Sequence, residues 1–361
     1  MKCKTAGESH GQGILALIEG FPAGITINTN GINAELQRRQ GGYGRGGRQK
    51  LETDSVEILT GIWRGKSTGA PITLWVKNKD FRIDEAPDLF QPRPGHADLP
   101  GSIKYNEPIR PILERSSARE TAARVAAGAL AKQYLAAHGI NIIGFVKNIG
   151  GFLSDDPNDA ALDYDTVLQR RTQSEFYTLH SEHDDRLKSE IDRISAGGDS
   201  VGGIIEVRIF GVPIGLGSCM QWDMKLDGKL AQAVMSVQAQ KGVEIGLGFA
   251  SATTPGSQMH DPIGYDAALQ DTSCQGFTRP SNNAGGIEGG MSNGQPIIIR
   301  SAMKPIPTLQ KPLDSVDLRT KEAVPTFYER SDVCAVPAGS VVIENVAAMT
   351  IAECLAENKK H

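Results

Sequence analysis

The sequence predicts an α+β fold built on antiparallel sheets, and three observations carry that reading. Val56-Glu57-Ile58-Leu59-Thr60-Gly61-Ile62 and Pro71-Ile72-Thr73-Leu74-Trp75-Val76 read as antiparallel strands around a Gly/Ser/Thr turn. An Ala/Leu-rich run from Ser117 to about His138 places Ala122, Val125, Ala126, Ala129 and Leu130 at helical spacing and stops at Gly139. The turn Glu19-Gly20-Phe21-Pro22-Ala23-Gly24 is echoed by Phe210-Gly211-Val212-Pro213-Ile214-Gly215, each after a strand, which hints at an internal duplication. No linker or composition shift breaks the chain, so residues 1–361 are read as a single domain.

In order, Met1 to Lys4 is a strand end or leader, followed by the Gly-bounded loop Gly7-Glu8-Ser9-His10-Gly11. Ile14 to Gly20 is a strand and Ile32 to Arg39 a short helix. The segment up to Arg110 reads as loop, apart from the paired strands. After the Ala-rich helix, Ile140 to Ile149 is strand-like, and Asp155 to about Glu175 is acidic and peripheral. Glu182 to Ser195 is a charged amphipathic helix beside His180 and His183, which are read as solvated. Ile204 to Ile209 and Pro296 to Ser301 are strands, and Leu226 to Val237 is a helix. The apolar triplet Val341-Val342-Ile343 reads as a strand ahead of a last helix from about Val346 to Glu357.

Composition narrows the function classes. With 39% hydrophobic and 22% charged residues the chain is an ordinary globular protein, and a net charge of −4 offers no global field for nucleic acid or membrane. The five cysteines lack CxxC or metal-type spacing, which points to reduced thiols, a cytoplasmic setting and no metal. There is no GxGxxG after a strand, no P-loop, no HExxH and no nucleophile-elbow GxSxG between a strand and a helix. The 41 glycines imply many tight turns, or backbone that must come close to a ligand.

What remains is a set of cations and loop histidines. Glu114-Arg115-Ser116-Ser117-Ala118-Arg119-Glu120 opens the Ala-rich helix, with Ser117 and Glu120 spaced as a capping box. Free N–H groups at that helix start, with Arg115, Arg119 and Arg124 nearby, suit an anion, although a capped core helix with solvated arginines fits the same residues. From Leu36 to Leu51 there are five basic residues and no acid, including Arg39, Arg45 and Arg48. Three readings compete there: a solvated loop, a short nucleic-acid segment, and a lid whose arginines fork onto carboxylates or phosphates. His10 and His96 each sit beside glycine, and Asp98 is spaced to orient His96. Two loop histidines and many arginines suit proton handling on a polyanionic small molecule.

Six stretches together resemble the chorismate synthase family, in the family's order from about residue 5 to residue 350. They are Gly7-Glu8-Ser9-His10-Gly11, the Arg39/Arg45/Arg48 loop, Arg93-Pro94-Gly95-His96-Ala97-Asp98, Arg115-Ser116-Ser117-Ala118-Arg119-Glu120, Lys304-Pro305-Ile306-Pro307-Thr308 and Arg330-Ser331-Asp332. The resemblance implies a β-α-β sandwich with internal pseudo-duplication, helices packed between antiparallel sheets, and a homotetramer.

It implies a lyase of the shikimate pathway, in aromatic amino-acid biosynthesis. That enzyme converts 5-enolpyruvylshikimate 3-phosphate to chorismate by 1,4-anti elimination, using reduced FMN with no net redox change. By resemblance, His10 would protonate the reduced flavin, His96 would assist the departing phosphate, and Asp332 would relay the ring proton. FMN would contact Arg115, Ser116, Ser117, Gln238, Ala239, Gly289, Lys304, Pro305, Ile306, Pro307, Thr308 and Arg330. Arg39, Arg45, Arg48, Arg119 and Arg124 would bind substrate, with Arg39 and Arg45 also at positions linked to NADP. NADPH would be an indirect reductant, and an external flavin reductase would supply reduced FMN. Gln238 stands where many relatives carry Asn, and the chain ends soon after Glu357. A flavin-dependent oxidoreductase acting on an anionic small molecule is the alternative enzyme class. A nucleic-acid-binding module using the Gly/Arg loop is the third reading.

Overall fold

The computed structural model describes residues 1–46, 53–152, 156–329 and 331–358. Two four-stranded antiparallel sheets frame it. The first contains β1 (Lys2–Ala6), β2 (Gly13–Glu19), β3 (Val56–Ile58) and β4 (Ile72–Lys77) in the order β1-β2-β4-β3. The second contains β5 (Asn141–Ile149), β6 (Gly203–Phe210), β7 (Gln240–Ile245) and β8 (Ile297–Met303) in the order β5-β6-β8-β7. The two orders are the same pattern, with the fourth strand inserted between the second and third.

Helices repeat with the strands. Helix α1 (Thr29–Gln40) lies between β2 and β3, and α7 (Leu226–Met235) between β6 and β7. After each last strand comes a long helix, α4 (Thr121–Ala136) in the first half and α8 (Val336–Asn358) in the second. Helices α2 (Asp98–Tyr105), α3 (Ile109–Ser116), α5 (Tyr164–Gln173) and α6 (Asp184–Ala196) are additions. α4 packs on β2 and β4, α8 packs on β5 and β6, and the two helices pack on each other, giving a sheet–helix–sheet sandwich. One contiguous apolar core runs through both sheets and these helices. The alanines of α4 allow this close contact, and at Gly128 even a Cβ would come within 2.4 Å of the Asn345 carbonyl oxygen.

The turn echo marks a true repeat. Gly20 and Gly24 have φ of 71° and 84°, and Gly211 and Gly215 have 76° and 87°, all in the left-handed region that favours glycine. Phe21 and Val212 between them are both buried. A buried serine closes each turn in the same way. Ser67 Oγ donates to the Pro22 carbonyl at 2.6 Å and accepts from the Ile25 N–H at 3.0 Å. Ser292 Oγ donates to the Pro213 carbonyl at 2.5 Å and accepts from the Leu216 N–H at 2.8 Å.

Several local expectations differ from the structure. Val341-Val342-Ile343 is helical, in the first half of α8. Its β-branched residues favour strands, but α8 is buried on nearly every side, so no polar face exposes the helical period. The segment before Arg110 contains α2, and α3 runs straight into Ser117. Residues 240–245 form a strand despite Gly242. His180 is paired with Asp159 at 2.9 Å and Glu182 at 3.1 Å rather than solvated. Asp156, Asp159 and His180 bring three ligand-type atoms within 4.8 Å of one another; Asp159 pairs with His180, and Asp156 accepts from the Asn158 N–H at 2.9 Å. By length and composition α8 could cross a membrane, and here it is the central core helix.

Candidate active site

A cavity of about 870 Å³ opens where the starts of α4 and α8 meet, within the size range of small-molecule sites. Its wall draws on both halves of the repeat: Ser116 to Arg119 and Thr121 before and in α4, and Ser331, Asp332 and Ala335 before α8. The stretches Gln238-Ala239-Gln240 and Lys304, Ile306, Pro307 and Thr308 complete the second half's share. Seven arginine or lysine side chains line it (Arg39, Arg45, Arg82, Arg93, Arg110, Arg119, Lys304) against four carboxylates (Asp80, Glu85, Glu329, Asp332) among the described residues. Both long helices direct their positive ends there, which adds to the anion-attracting field.

The break between α3 and α4 places half-buried Ser116 and Ser117 at the cavity wall. Ser117 is extended (ψ 144°), and its Oγ accepts from the Arg119 N–H at 3.3 Å and donates to Ser9 Oγ at 3.1 Å. Glu120 does not complete the expected capping box. Its carboxylate accepts instead from Thr5 Oγ1 at 2.6 Å, Arg124 Nε at 3.0 Å and Gln238 Nε2 at 3.2 Å. These contacts tie β1, α4 and the 238 segment together. Ala239, at φ 69°, holds a left-handed conformation that non-glycine residues rarely adopt, and its carbonyl accepts from the Lys304 N–H at 2.9 Å.

Two histidines sit on carboxylates. His10 Nδ1 lies 2.9 Å from Glu114 Oε1, and its backbone N–H donates to Glu114 Oε2 at 2.8 Å. Burial pushes the Glu114 carboxyl up, but hydrogen bonds from His10 outweigh it and hold the group below its ordinary value. A carboxylate only accepts, so His10 carries a proton on Nδ1. His96 Nδ1 lies 2.5 Å from Asp98 Oδ1. Arg93 also grips Asp98, through Nε at 2.8 Å, and reaches Thr308 Oγ1 at 2.9 Å. Burial opposes ionisation of Asp98, yet His96 and Arg93 keep its carboxyl well below the usual range. The His10 loop itself is shaped by Asn78, whose Nδ2 donates to the carbonyls of Glu8, Ser9 and Gly11 at 3.1, 3.1 and 2.7 Å.

The sequence-predicted residues divide. His10, His96, Asp332, Arg39, Arg45, Arg119, Ser116, Ser117, Gln238, Ala239, Lys304, Ile306, Pro307 and Thr308 all lie on the cavity wall. Asp332 is fixed by Arg45 Nη1 at 2.8 Å and by the Gly46 N–H at 2.6 Å, so Arg45 is turned inward. Lys304 has its amine held below the ordinary value by burial and then by Lys241. Arg124 is not brought there; it pairs with Glu120 and Ser236 beside a second cavity of about 300 Å³. Arg115 turns away, donating to the carbonyls of Thr5 and Gly7 at 3.0 and 3.2 Å. Gly289 sits in an exposed hairpin turn, and neither it nor Pro305 lines the cavity. Arg48 and Arg330 lie outside the described residues.

Sequence reasoning assigned no role to Arg93, Arg110, Glu114, Asn78 or Asp54. Arg93 belonged to a motif already singled out, and Glu114 opened the central stretch. Nothing in the local sequence marks Asp54, whose partners are distant in the chain.

Comparison with known proteins then gives the family. The family model described as chorismate synthase matches residues 1–356. The chain belongs to the chorismate synthase family. Members of this family are lyases of aromatic amino-acid biosynthesis. The chain is 51% identical to the chorismate synthase of Geobacter sulfurreducens over 367 positions, covering 98% of this chain and 93% of that one. It is 49% identical to that of Enterococcus faecalis over 372 positions, covering 99% and 94%. A crystal structure of chorismate synthase aligns with a TM-score of 0.81 at 42% identity, covering 99% of this chain and 92% of that one.

Proposed function

We propose that this protein converts 5-enolpyruvylshikimate 3-phosphate to chorismate by 1,4-anti elimination, with reduced FMN in the same cavity. The observation that carries this reading is the pairing of two histidine–carboxylate couples, His10–Glu114 and His96–Asp98, in one arginine-lined cavity. In the reaction a ring C–H and the C–O bond to phosphate break, a ring C=C forms, and inorganic phosphate leaves. The substrate carries two carboxylates and a phosphate, so several forked cations suit it. Arg39, Arg45 and Arg119 are the assigned binders. Arg48 belongs to the same assignment, and Arg124 faces the second cavity.

The residues present fit FMN. Gln238, Gln240 and Ser116 line the cavity and carry buried polar atoms without a partner among the described residues, a cost that a hydrogen-bonding ligand would relieve after small side-chain turns. Ser116, Ser117, Gln238, Ala239, Lys304 and Ile306 to Thr308 would hold it here. Bound FMN in its reduced form supplies transient electron density that eases loss of phosphate. His96, its Nδ1 proton fixed on Asp98, holds a proton for the departing phosphate. His10, its Nδ1 proton fixed on Glu114, exchanges a proton at Nε2. Asp332, oriented by Arg45 and Gly46, accepts the ring proton's relay. The working form is a cytoplasmic homotetramer, with reduced FMN supplied by an external reductase that uses NADPH.

The test is anaerobic. Protein, chemically reduced FMN and 5-enolpyruvylshikimate 3-phosphate are mixed, and phosphate release is followed with chorismate absorbance. Equal release of both, with the flavin still reduced at the end, is expected. In a parallel run with NADPH as the reductant, its consumption in proportion to product would favour a flavin oxidoreductase instead, and absence of substrate binding would overturn the proposal.

A further inference from the structure

Arg39 and Arg119 share one carboxylate. Arg39 Nη2 donates to Asp54 Oδ2 at 2.9 Å, and Arg119 Nη1 lies 2.7 and 2.8 Å from the two Asp54 oxygens. Asp54 is 1% exposed, and both arginines line the cavity. We propose that Asp54 is a positioning residue for substrate: it sets the spacing and facing of Arg39 and Arg119 so that the pair takes up one polyanion. This rests on the function proposed above and deepens it.

Three features support the assignment. Asp54 is itself anchored, since its N–H donates to Gln40 Oε1 at 3.0 Å and Val56 N–H donates to Asn33 Oδ1 at 2.9 Å. It therefore joins the helix that carries Arg39 to the α4 start that carries Arg119. Next, the contacts leave donors over. Arg119 uses Nε on Asn78 (2.8 Å), Nη1 on Asp54 and Nη2 on the Lys77 carbonyl (3.3 Å), while Arg39 uses Nη1 on Thr121 (3.3 Å) and Nη2 on Asp54. A guanidinium has five N–H groups, so among the described residues Arg119 keeps at least one and Arg39 three for a ligand. Last, burial raises the Asp54 carboxyl, but the charges of Arg39 and Arg119 outweigh burial and hold it ionised. Without that charge the two guanidiniums repel each other and Arg45, and only their neutral contacts to Asn78, the Lys77 carbonyl and Thr121 resist that repulsion.

Charge and positioning predict opposite effects, which makes the idea testable. Removing a carboxylate from behind the wall of a polyanion site strengthens binding if only net charge matters. Positioning predicts weaker binding. Calorimetric titration of 5-enolpyruvylshikimate 3-phosphate into wild type and Asp54→Asn, both loaded with oxidised FMN, reads this without turnover. Steady-state KM and kcat with reduced FMN are measured alongside. At least tenfold weaker binding and a matching rise in KM are expected in Asp54→Asn, with the unfolding temperature showing that it folds. Asp54→Glu keeps the counter-charge but moves it by one methylene, and it too is expected to weaken binding. If Asp54→Asn fails to fold, Asp54→Glu decides. Equal or tighter binding in a folded variant overturns the inference and leaves the proposed function standing. Wild type that does not bind the substrate overturns both.

Discussion

Glu114 holds His10 at two points, with Oε1 2.9 Å from the ring Nδ1 and Oε2 accepting from the backbone N–H at 2.8 Å. One buried carboxylate thus fixes the ring's tautomer and the course of its loop. Glu114→Gln keeps the shape and removes the charge. Turnover is expected to fall by roughly two orders of magnitude, about as much as in His10→Ala, with the fold retained. Anaerobic steady-state kinetics check it, and near-normal turnover in both variants would remove the role assigned to His10.

Asp98 serves both His96 and Arg93, so its loss should be felt twice. Asp98→Asn is expected to raise KM, because Arg93 loses its anchor, and to lower kcat, because His96 loses its orientation. His96→Ala should lower kcat by roughly two orders of magnitude. A kcat unchanged in both variants would place His96 outside the chemistry.

The repeat makes a prediction about stability. Ser67 and Ser292 close equivalent turns through the same pair of contacts. Ser67→Ala and Ser292→Ala should each cost about 1–3 kcal/mol, since each takes the side-chain partner from a half-buried or buried N–H and carbonyl. Urea denaturation of the two variants tests this. A large cost in one and none in the other would mean that only one half depends on its serine.

Glu344 is fully buried among Arg38 (2.5 Å), Arg171 (3.2 Å) and Lys132. Burial pushes its carboxyl up, but Arg38, Lys132 and Arg171 outweigh that and bring it down to about 2, below its ordinary value of 4.5. Its folded value lies below its unfolded one, so its contribution is full above about pH 4.5 and is lost as pH falls toward 2. Glu344→Gln should destabilise the protein by roughly 3–5 kcal/mol at pH 7, because buried Arg171 loses its carboxylate and half-buried Arg38 and Lys132 are left to share Glu35. It should also flatten the fall in stability between pH 4.5 and pH 2. Denaturant titrations across that range check the sign.

How far the site was legible depended on whether a residue's partner was local. The His96–Asp98 couple was visible because its members are two positions apart. The same local reading misled at Ser117 and Glu120, where capping-box spacing was present but Thr5, Arg124 and Gln238 drew the glutamate away. It misled again at Val341 to Ile343, where β-branched side chains fill a helix that has core on nearly all sides. The arginines were legible as a cation-rich set, but which of them turn inward was not. Arg119 lines the cavity and Arg124, five residues on, faces the second one.

By itself the sequence determined the α+β class, most of the strands and helices, the turn repeat that betrays the duplication, and the motifs that carry the family resemblance. These are properties of periodicity, turn chemistry and short spacings, which act between near neighbours. Only the tertiary structure decided that Glu114 meets His10 across 104 positions, that Asp54 meets Arg119 across 65, and that Glu344 meets Arg38 across 306. The reason is physical. A charge stays buried only where its counter-charge arrives in the same place, and packing α4 against α8 between two sheets sets that place.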